Sequence, residues 1–199
     1  MSNWYDFTAN KETKREYLAR VKYEQLVCKR VSGIKDIAGA KINKGVQYRV
    51  VTENSFNAIV IIDYLLESFE LDEIIIAVYR MNFQAVKKIM GLSENIPISV
   101  LVSSFFRENK KYEKWVNQLF EFSKQQKNLT VSSAWSHAKV TLCRTTSNDH
   151  IVFEGSGNLS DNARIEQYLL ENNKQSYEFH KNWILKTIND GERKERHDY

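Results

Sequence analysis

A single proline (Pro97), two cysteines (Cys28 and Cys143) and seven glycines are spread over 199 residues. So little proline and glycine excludes a collagen-like or low-complexity chain. Two cysteines without a C-x-x-C pair leave no zinc cage and fit a reducing, cytoplasmic setting. No apolar stretch approaches the ~20 residues of a membrane helix. The opening residues MSNWYDFTANKETKR lack the apolar core of a signal peptide, so no membrane partner is expected. Neither sign of charge dominates, with 29 Lys/Arg against 25 Asp/Glu. What is there is 42% hydrophobic and 27% charged residues, the make-up of one globular domain able to bury its own core.

The positive excess is local. Residues 1–44 hold ten Lys/Arg against five acids, and the rest of the chain is close to neutral with 19 against 20. Such a segment either rests on a polyanion or is a solvated helix, and composition by itself favours the solvated helix. Tyr17, Leu18, Val21 and Leu26 stand at helical spacing, so residues 11–30 are expected to be helical. The expected organisation is a basic helical extension over 1–44, an α/β domain over 45–190 and a charged, frayed tail over 191–199.

From Val46 a strand–helix alternation sets in. Val46–Thr52 alternates like a strand, and Asn54 or Ser55 is placed to cap a helix over Phe56–Glu70. The run EIIIAVY (Glu73–Tyr79) has the β-branched continuity of a strand buried on both faces. Asn82 opens a helix over Phe83–Met90, and Pro97 starts the strand Ile98–Ser103, where a missing N–H does least harm. Asn109 opens a helix over 110–126, and Leu129–Ala134 is the next strand. This alternation predicts a largely parallel sheet with helices on both faces. After Trp135 the pattern becomes a hairpin: His137–Arg144, a polar turn TTSND, then Ile151–Glu154. A GSGNLSDN loop follows, then RIEQYLLE, read as a strand, and a last helix over Tyr177–Ile188 capped by Ser176.

The hairpin carries the chemistry. His137 and Lys139 are two apart on a strand and share a face. A turn centred on residues 146–147 sets His137 roughly opposite Ser156–Gly157. An imidazole, an ammonium, the Ser156 hydroxyl and the Asn158 amide then meet at one end of the sheet. In open α/β sheets ligands bind at the carboxyl ends of the strands, where Thr52, Glu53, Arg80, Asn82, Ser103 and Ser104 also fall. A cation and amide donors suit a phosphate, and a neutral imidazole can attack phosphorus or take a proton. A carboxylate accepting the second imidazole N–H would fix the tautomer, and Glu166 is the nearest downstream candidate. No acidic cluster surrounds His137, and no HxH or HExxH occurs, so no metal site is expected. His150, His180 and His197 are read as a turn exit, a helix face and part of the tail. Trp135 is read as a packing residue, with base stacking the alternative.

At these residues the chain resembles the phospholipase D-like (HKD) phosphodiesterase superfamily, and within it small single-motif members of the nuclease branch. The superfamily pattern is His-x-Lys, an Asp further on, Gly-Ser-x-Asn and a downstream Glu. Here it reads His137-Ala-Lys139, Gly155-Ser156-Gly157-Asn158 and Glu166, within a likeness running from about Val46 to Ile188. The Asp position holds Arg144 instead. In the resemblance that Asp is a supporting residue, so its loss bears on local support more than on the chemistry.

The resemblance implies a phospholipase D-like α/β fold, with a mixed, largely parallel sheet of about seven strands. It implies a metal-independent phosphodiesterase without cofactor that works through a phosphohistidine on His137. Lys139 and Asn158 would hold phosphate oxygens, helped by Ser156 and Arg80, and Glu166 would orient His137. One motif per chain implies a homodimer with the active site at its two-fold interface. The basic segment and the small size point to a nuclease, with nucleic acid as partner and DNA ahead of RNA. The alternatives are a catalytically inactive nucleic-acid-binding protein, in which Arg144 would be the residue to revert to Asp, and a phospholipid phosphodiesterase, for which no amphipathic anchor is seen.

Overall fold

The computed structural model describes residues 25–38, 42–54, 56–107, 113–160, 162 and 165–197. Eight strands form one sheet: β1 Gln25–Val31, β2 Val46–Thr52, β3 Leu71–Val78, β4 Ile98–Ser103, β5 Leu129–Ala134, β6 Val140–Thr145, β7 His150–Gly155 and β8 Gln167–Asn172. The helices are α1 Lys35–Ala38, α2 Val60–Leu66, α3 Phe83–Leu92, α4 Ser104–Arg107, α5 Glu113–Ser123 and α6 Lys174–His197. No helix among the described residues is long and apolar enough to cross a membrane.

The sheet order is β1-β2-β8-β7-β6-β3-β4-β5. β1–β2, β3–β4 and β4–β5 pair in parallel, and the four pairings through β6, β7 and β8 are antiparallel. The expectation of a largely parallel sheet of about seven strands is therefore corrected to a mixed sheet of eight. The cause is an antiparallel block, the β6–β7 hairpin plus β8, lodged between two parallel groups. All five of β1–β5 still point the same way, so their carboxyl ends share one edge with the start of β6, the end of β7 and the start of β8.

β1 corrects the other expectation. Residues 11–24 lie outside the described residues, but 25–31 are a strand and not the end of a helix. Val27 and Val31 turn to the core while the backbone pairs with β2. An available sheet edge outweighs the weak helical spacing of Leu26, because strand preference depends mostly on tertiary context.

Burial follows the residue pattern. Ile74, Ile75, Ile76, Ala77 and Val78 of β3 are all buried, as a central strand between β6 and β4 requires. One core lies between the sheet and α1, α2, α3 and α5. On the opposite face Tyr177, Ile184 and Ile188 of α6 pack on Ile75, Ala77, Leu142 and Val152. Burial pushes the Cys143 thiol up to about 12, which leaves it an inert core residue.

Local capping decides three helix starts. Asn82 caps α3 as expected, its side chain accepting from the Ala85 N–H. α2 begins later than expected, because Asn57 Oδ1 accepts the Ile59 N–H at 3.0 Å and the Ala58 N–H goes to Asn158 O at 3.2 Å. α6 begins earlier, because Asn173 Oδ1, rather than Ser176, accepts from the Gln175 and Ser176 N–H groups. The helix then continues to His197, through most of the expected tail.

α6 is pinned at its start by charge. Glu73 on β3 accepts from Tyr177 Oη at 2.6 Å and from Lys181 Nζ at 2.7 and 2.9 Å. Burial alone would raise the Glu73 pKa, but the hydrogen bonds from Lys181 and Tyr177 outweigh it and hold the carboxyl below its usual 4.5. A carboxyl depressed in the folded state adds stability above the unfolded pKa, and that stability is lost as pH falls through the folded value. Glu73→Gln is expected to cost about 1–3 kcal/mol at neutral pH and to flatten the loss of melting temperature below pH 4.5. Thermal melts of both proteins across that range check this.

Candidate active site

Four pieces of chain bring the expected residues to the shared strand edge. His137 and Lys139 lie just before β6, Ser156 and Asn158 just after β7, Glu166 just before β8, and Arg80 just after β3. The hairpin register pairs Val140 with Glu154 and Arg144 with His150, one step from the expected register, so Gly157 falls opposite His137 by extrapolation. The turn closes through Asn148, whose φ of 63° is left-handed, a conformation Asn tolerates.

Each side chain is held by identifiable contacts. Lys139 Nζ donates to His137 Nδ1 at 3.0 Å and to His137 O at 2.8 Å. As an ammonium, Lys139 can only donate, which makes Nδ1 the acceptor of this pair. The His137 ring also rests on Tyr79, with centroids 4.5 Å apart. Glu166 was expected to orient His137. In the structure its carboxylate takes a hydrogen bond from Ser156 Oγ, and the bond to His137 Nδ1 comes from Lys139. The Glu166 backbone is clamped by Thr52 at both ends: Thr52 N donates to Glu166 O at 2.9 Å, and Glu166 N donates to Thr52 Oγ1 at 2.8 Å. Ser156 Oγ also accepts the Gln167 N–H at 3.0 Å.

Asn158 is fixed from all sides. Its Oδ1 accepts the Arg80 N–H at 3.3 Å. Asn162 bonds its backbone twice, accepting from Asn158 N at 2.7 Å and donating to Asn158 O at 2.8 Å. With Oδ1 occupied, the Nδ2 hydrogens are the end of the amide placed to donate outward. The two loop glycines are there for closeness. A Cβ on Gly155 would sit 2.1 Å from Gln167 O, and one on Gly157 would sit 1.8 Å from Tyr168 Oη. The G-S-G-N loop thus lies directly on β8, and only glycine lets it pass.

Electrostatics concentrates on Lys139. Desolvation lowers its pKa from the usual 10.5, the nearby Glu166 charge partly restores it, and Arg80 lowers it again. Two cations close enough to repel, beside an imidazole and amide and hydroxyl donors, make a place where an anion relieves the repulsion.

Arg144 is elsewhere. It lies five residues along from Lys139, roughly 17 Å at the rise of a strand, at the opposite edge of the sheet. There its Nε donates to Asp72 Oδ1 at 2.8 Å, and its Nη1 is 3.8 Å from Glu73. Of the other strand-end residues, Asn82 serves as the α3 cap, and Glu53 pairs with Arg30 at 3.5 Å.

Two features were not anticipated. An open cleft of about 860 Å³ runs from His137 and Lys139 across β8 and β2 to Arg49 and Arg30, with His180 and Trp183 of α6 on its wall. His180, read from sequence as a plain helix-face residue, accepts from Trp183 Nε1 at 3.1 Å and reaches Glu154 at 3.2 Å through Nε2. Nothing in the sequence around 180 marks this, since α6 and β7 meet only through the fold. The second feature is a set of rings beside His137, Tyr79, Phe105 and Trp135, of which only Trp135 stands out in the sequence.

This architecture is a phospholipase D-like fold. The crystal structure of the phospholipase D family member Nuc from Salmonella typhimurium aligns with a TM-score of 0.50 and 12% identity, covering 74% of this chain and 95% of Nuc. NucT from Helicobacter pylori aligns with a TM-score of 0.48 and 16% identity, over 73% of this chain and 97% of NucT. No protein-family model and no curated protein matches the chain.

Proposed function

We propose that the protein is a metal-independent phosphodiesterase, a nuclease that hydrolyses nucleic-acid phosphodiester bonds through a phosphohistidine on His137. The observation that carries the reading is the convergence of His137, Lys139, Ser156, Asn158, Glu166 and Arg80, from four separate pieces of chain, on the carboxyl-end edge of the sheet.

In the resting site the Lys139 ammonium occupies His137 Nδ1. An incoming phosphodiester draws Lys139 onto a non-bridging oxygen, beside Arg80 and the Asn158 amide. Nδ1 is then released to carry the ring proton, and the Nε2 lone pair faces phosphorus. Attack forms the N–P bond as the bond to the leaving oxygen breaks, and that oxygen takes a proton from an imidazolium. Water then attacks phosphorus, the same imidazole takes the water's proton, and the N–P bond breaks to restore His137. Lys139, Arg80 and Asn158 stabilise the charge that grows on the phosphoryl oxygens. Glu166 acts through Ser156 and the field on Lys139.

The second imidazole is the partner subunit's His137, in a two-fold homodimer that places two copies of the same edge face to face. The test is degradation of single- and double-stranded DNA and RNA by the purified chain in excess EDTA, with sedimentation run at the same concentration. Cleavage by a dimer is the expected result. Absence of cleavage of every substrate overturns the hydrolase reading, and cleavage by a strict monomer overturns the two-copy site.

A further inference from the structure

Three aromatic side chains stand at the ends of three consecutive parallel strands, on the same edge as His137. Tyr79 follows β3, Phe105 lies in α4 after β4, and Trp135 follows β5. Tyr79 and Phe105 are stacked, with centroids 6.0 Å apart and planes 17° from parallel. Phe105 meets Trp135 edge-on at 5.8 Å. The row ends on the site itself, since Tyr79 touches the His137 ring and lies 5.5 Å from Lys139 Nζ.

These rings are not core. Trp135 is 81% exposed and Phe105 48% exposed, although the same fold buries Phe106 next door almost completely. Large rings left in water on a rigid strand edge mark a contact surface. The neighbouring groups say what kind. A nucleotide joins a phosphate to a flat base through one sugar, and here a cation–imidazole pair is joined to flat rings within one side chain's reach. Stacking on aromatic side chains is the sequence-tolerant way to hold unpaired bases, and it is denied to bases already stacked in a duplex.

We infer that Phe105 and Trp135 form a stacking platform for the bases flanking the phosphate at His137 and Lys139, so that the substrate is a single strand. The inference rests on the phosphodiesterase reading for the phosphate but not for the stacking. Tyr79 is the wall between the two subsites, touching the imidazole on one side and the platform on the other.

The test measures binding, not turnover. A short 5′-labelled oligothymidylate, an oligouridylate, an abasic strand of equal length and a duplex are titrated with the full chain in excess EDTA, and anisotropy is read before cleavage accumulates. The base-bearing strands, of either sugar, are expected to bind more tightly than the abasic strand, which carries the same phosphates. Trp135→Leu and Phe105→Leu keep apolar bulk but remove the ring face. Each is expected to weaken binding of base-bearing strands by roughly tenfold, leaving the abasic strand unchanged. Trp135→Phe restores most of the loss. Equal affinity for abasic and base-bearing strands, or equal losses on both, overturns the platform. So does a variant that loses affinity for both strands while its sedimentation shifts to monomer, which would make the rings a subunit contact. Base-dependent binding without cleavage keeps the platform and removes the hydrolase; cleavage of the abasic strand without base dependence does the reverse.

Discussion

Replacing His137 by Ala is expected to lower phosphodiester cleavage by at least about 10³-fold while leaving substrate affinity within a few-fold. Removing a nucleophile, or the residue that activates it, costs orders of magnitude in turnover because the transition state loses a bond and not merely a contact. Affinity should survive, because in the proposed mechanism Lys139, Arg80 and Asn158 hold the phosphate. Lys139→Ala is the complementary case within the same experiment: both affinity and rate are expected to fall, since the proposed mechanism sets the ammonium on the bound phosphate and on the charge that develops there. The pH profile of the parent protein carries a further mark. Desolvation, only partly offset by Glu166, holds Lys139 below 10.5. In the proposed mechanism Lys139 acts as the cation, so activity should decline as pH rises through that depressed value, earlier than an ordinary lysine would dictate. Single-turnover rates and binding isotherms for the three proteins, in EDTA, separate these outcomes. A His137→Ala variant that cleaves at the parent rate would remove His137 from the chemistry.

The second large effect is on stability. Arg144→Asp restores the residue type of the HKD pattern, and from sequence it is the natural reversion for an inactive chain. The structure predicts harm instead. Arg144 is paired with Asp72 on β3 and borders Glu73, which already holds Lys181 and Tyr177. A carboxylate there loses a charge-assisted hydrogen bond and adds a third negative group to two that are now less compensated. The pair is part-exposed, so the expected cost is about 1–2 kcal/mol, or a drop in melting temperature of roughly 2–8 °C for a chain of this size. The double variant Asp72→Arg/Arg144→Asp should regain part of the loss, because the pair is rebuilt with its charges exchanged. Catalytic constants of the folded fraction should be unaffected, given the roughly 17 Å between positions 139 and 144 along the strand. Differential scanning calorimetry decides it. A reversion that leaves the melting temperature unchanged and raises activity would return Arg144 to the site.

The strands β2, β4 and β5 have the bounds read from the sequence, and the continuous β-branched run of β3 marks the middle of the sheet. The Asn82 cap was equally plain, because an N-cap is a contact across three residues. The hairpin was legible for the same reason, and its register differs from the expected one by a single step, set by where the TTSND turn puts Asn148. The start of α2 was missed because Ala58 and Phe56 spend their backbone groups on Asn158 and Asn162, about a hundred residues away. β1 was missed because its pattern is ambiguous until β2 offers an edge.

What the sequence by itself determined is everything that depends on near neighbours: the strand and helix alternation, the hairpin that sets His137 and Lys139 near Ser156, and the glycines of the G-S-G-N loop. The tertiary structure alone decided that β8 enters between β2 and β7, which makes the sheet mixed. It also decided that Glu166 meets Ser156 rather than His137, that Arg144 answers to Asp72, and that Tyr79, Phe105 and Trp135 line up beside the site. The physical reason is shared. Each of these depends on which strands become neighbours, a choice made by burying the sum of many apolar side chains at once, and no local periodicity encodes that sum.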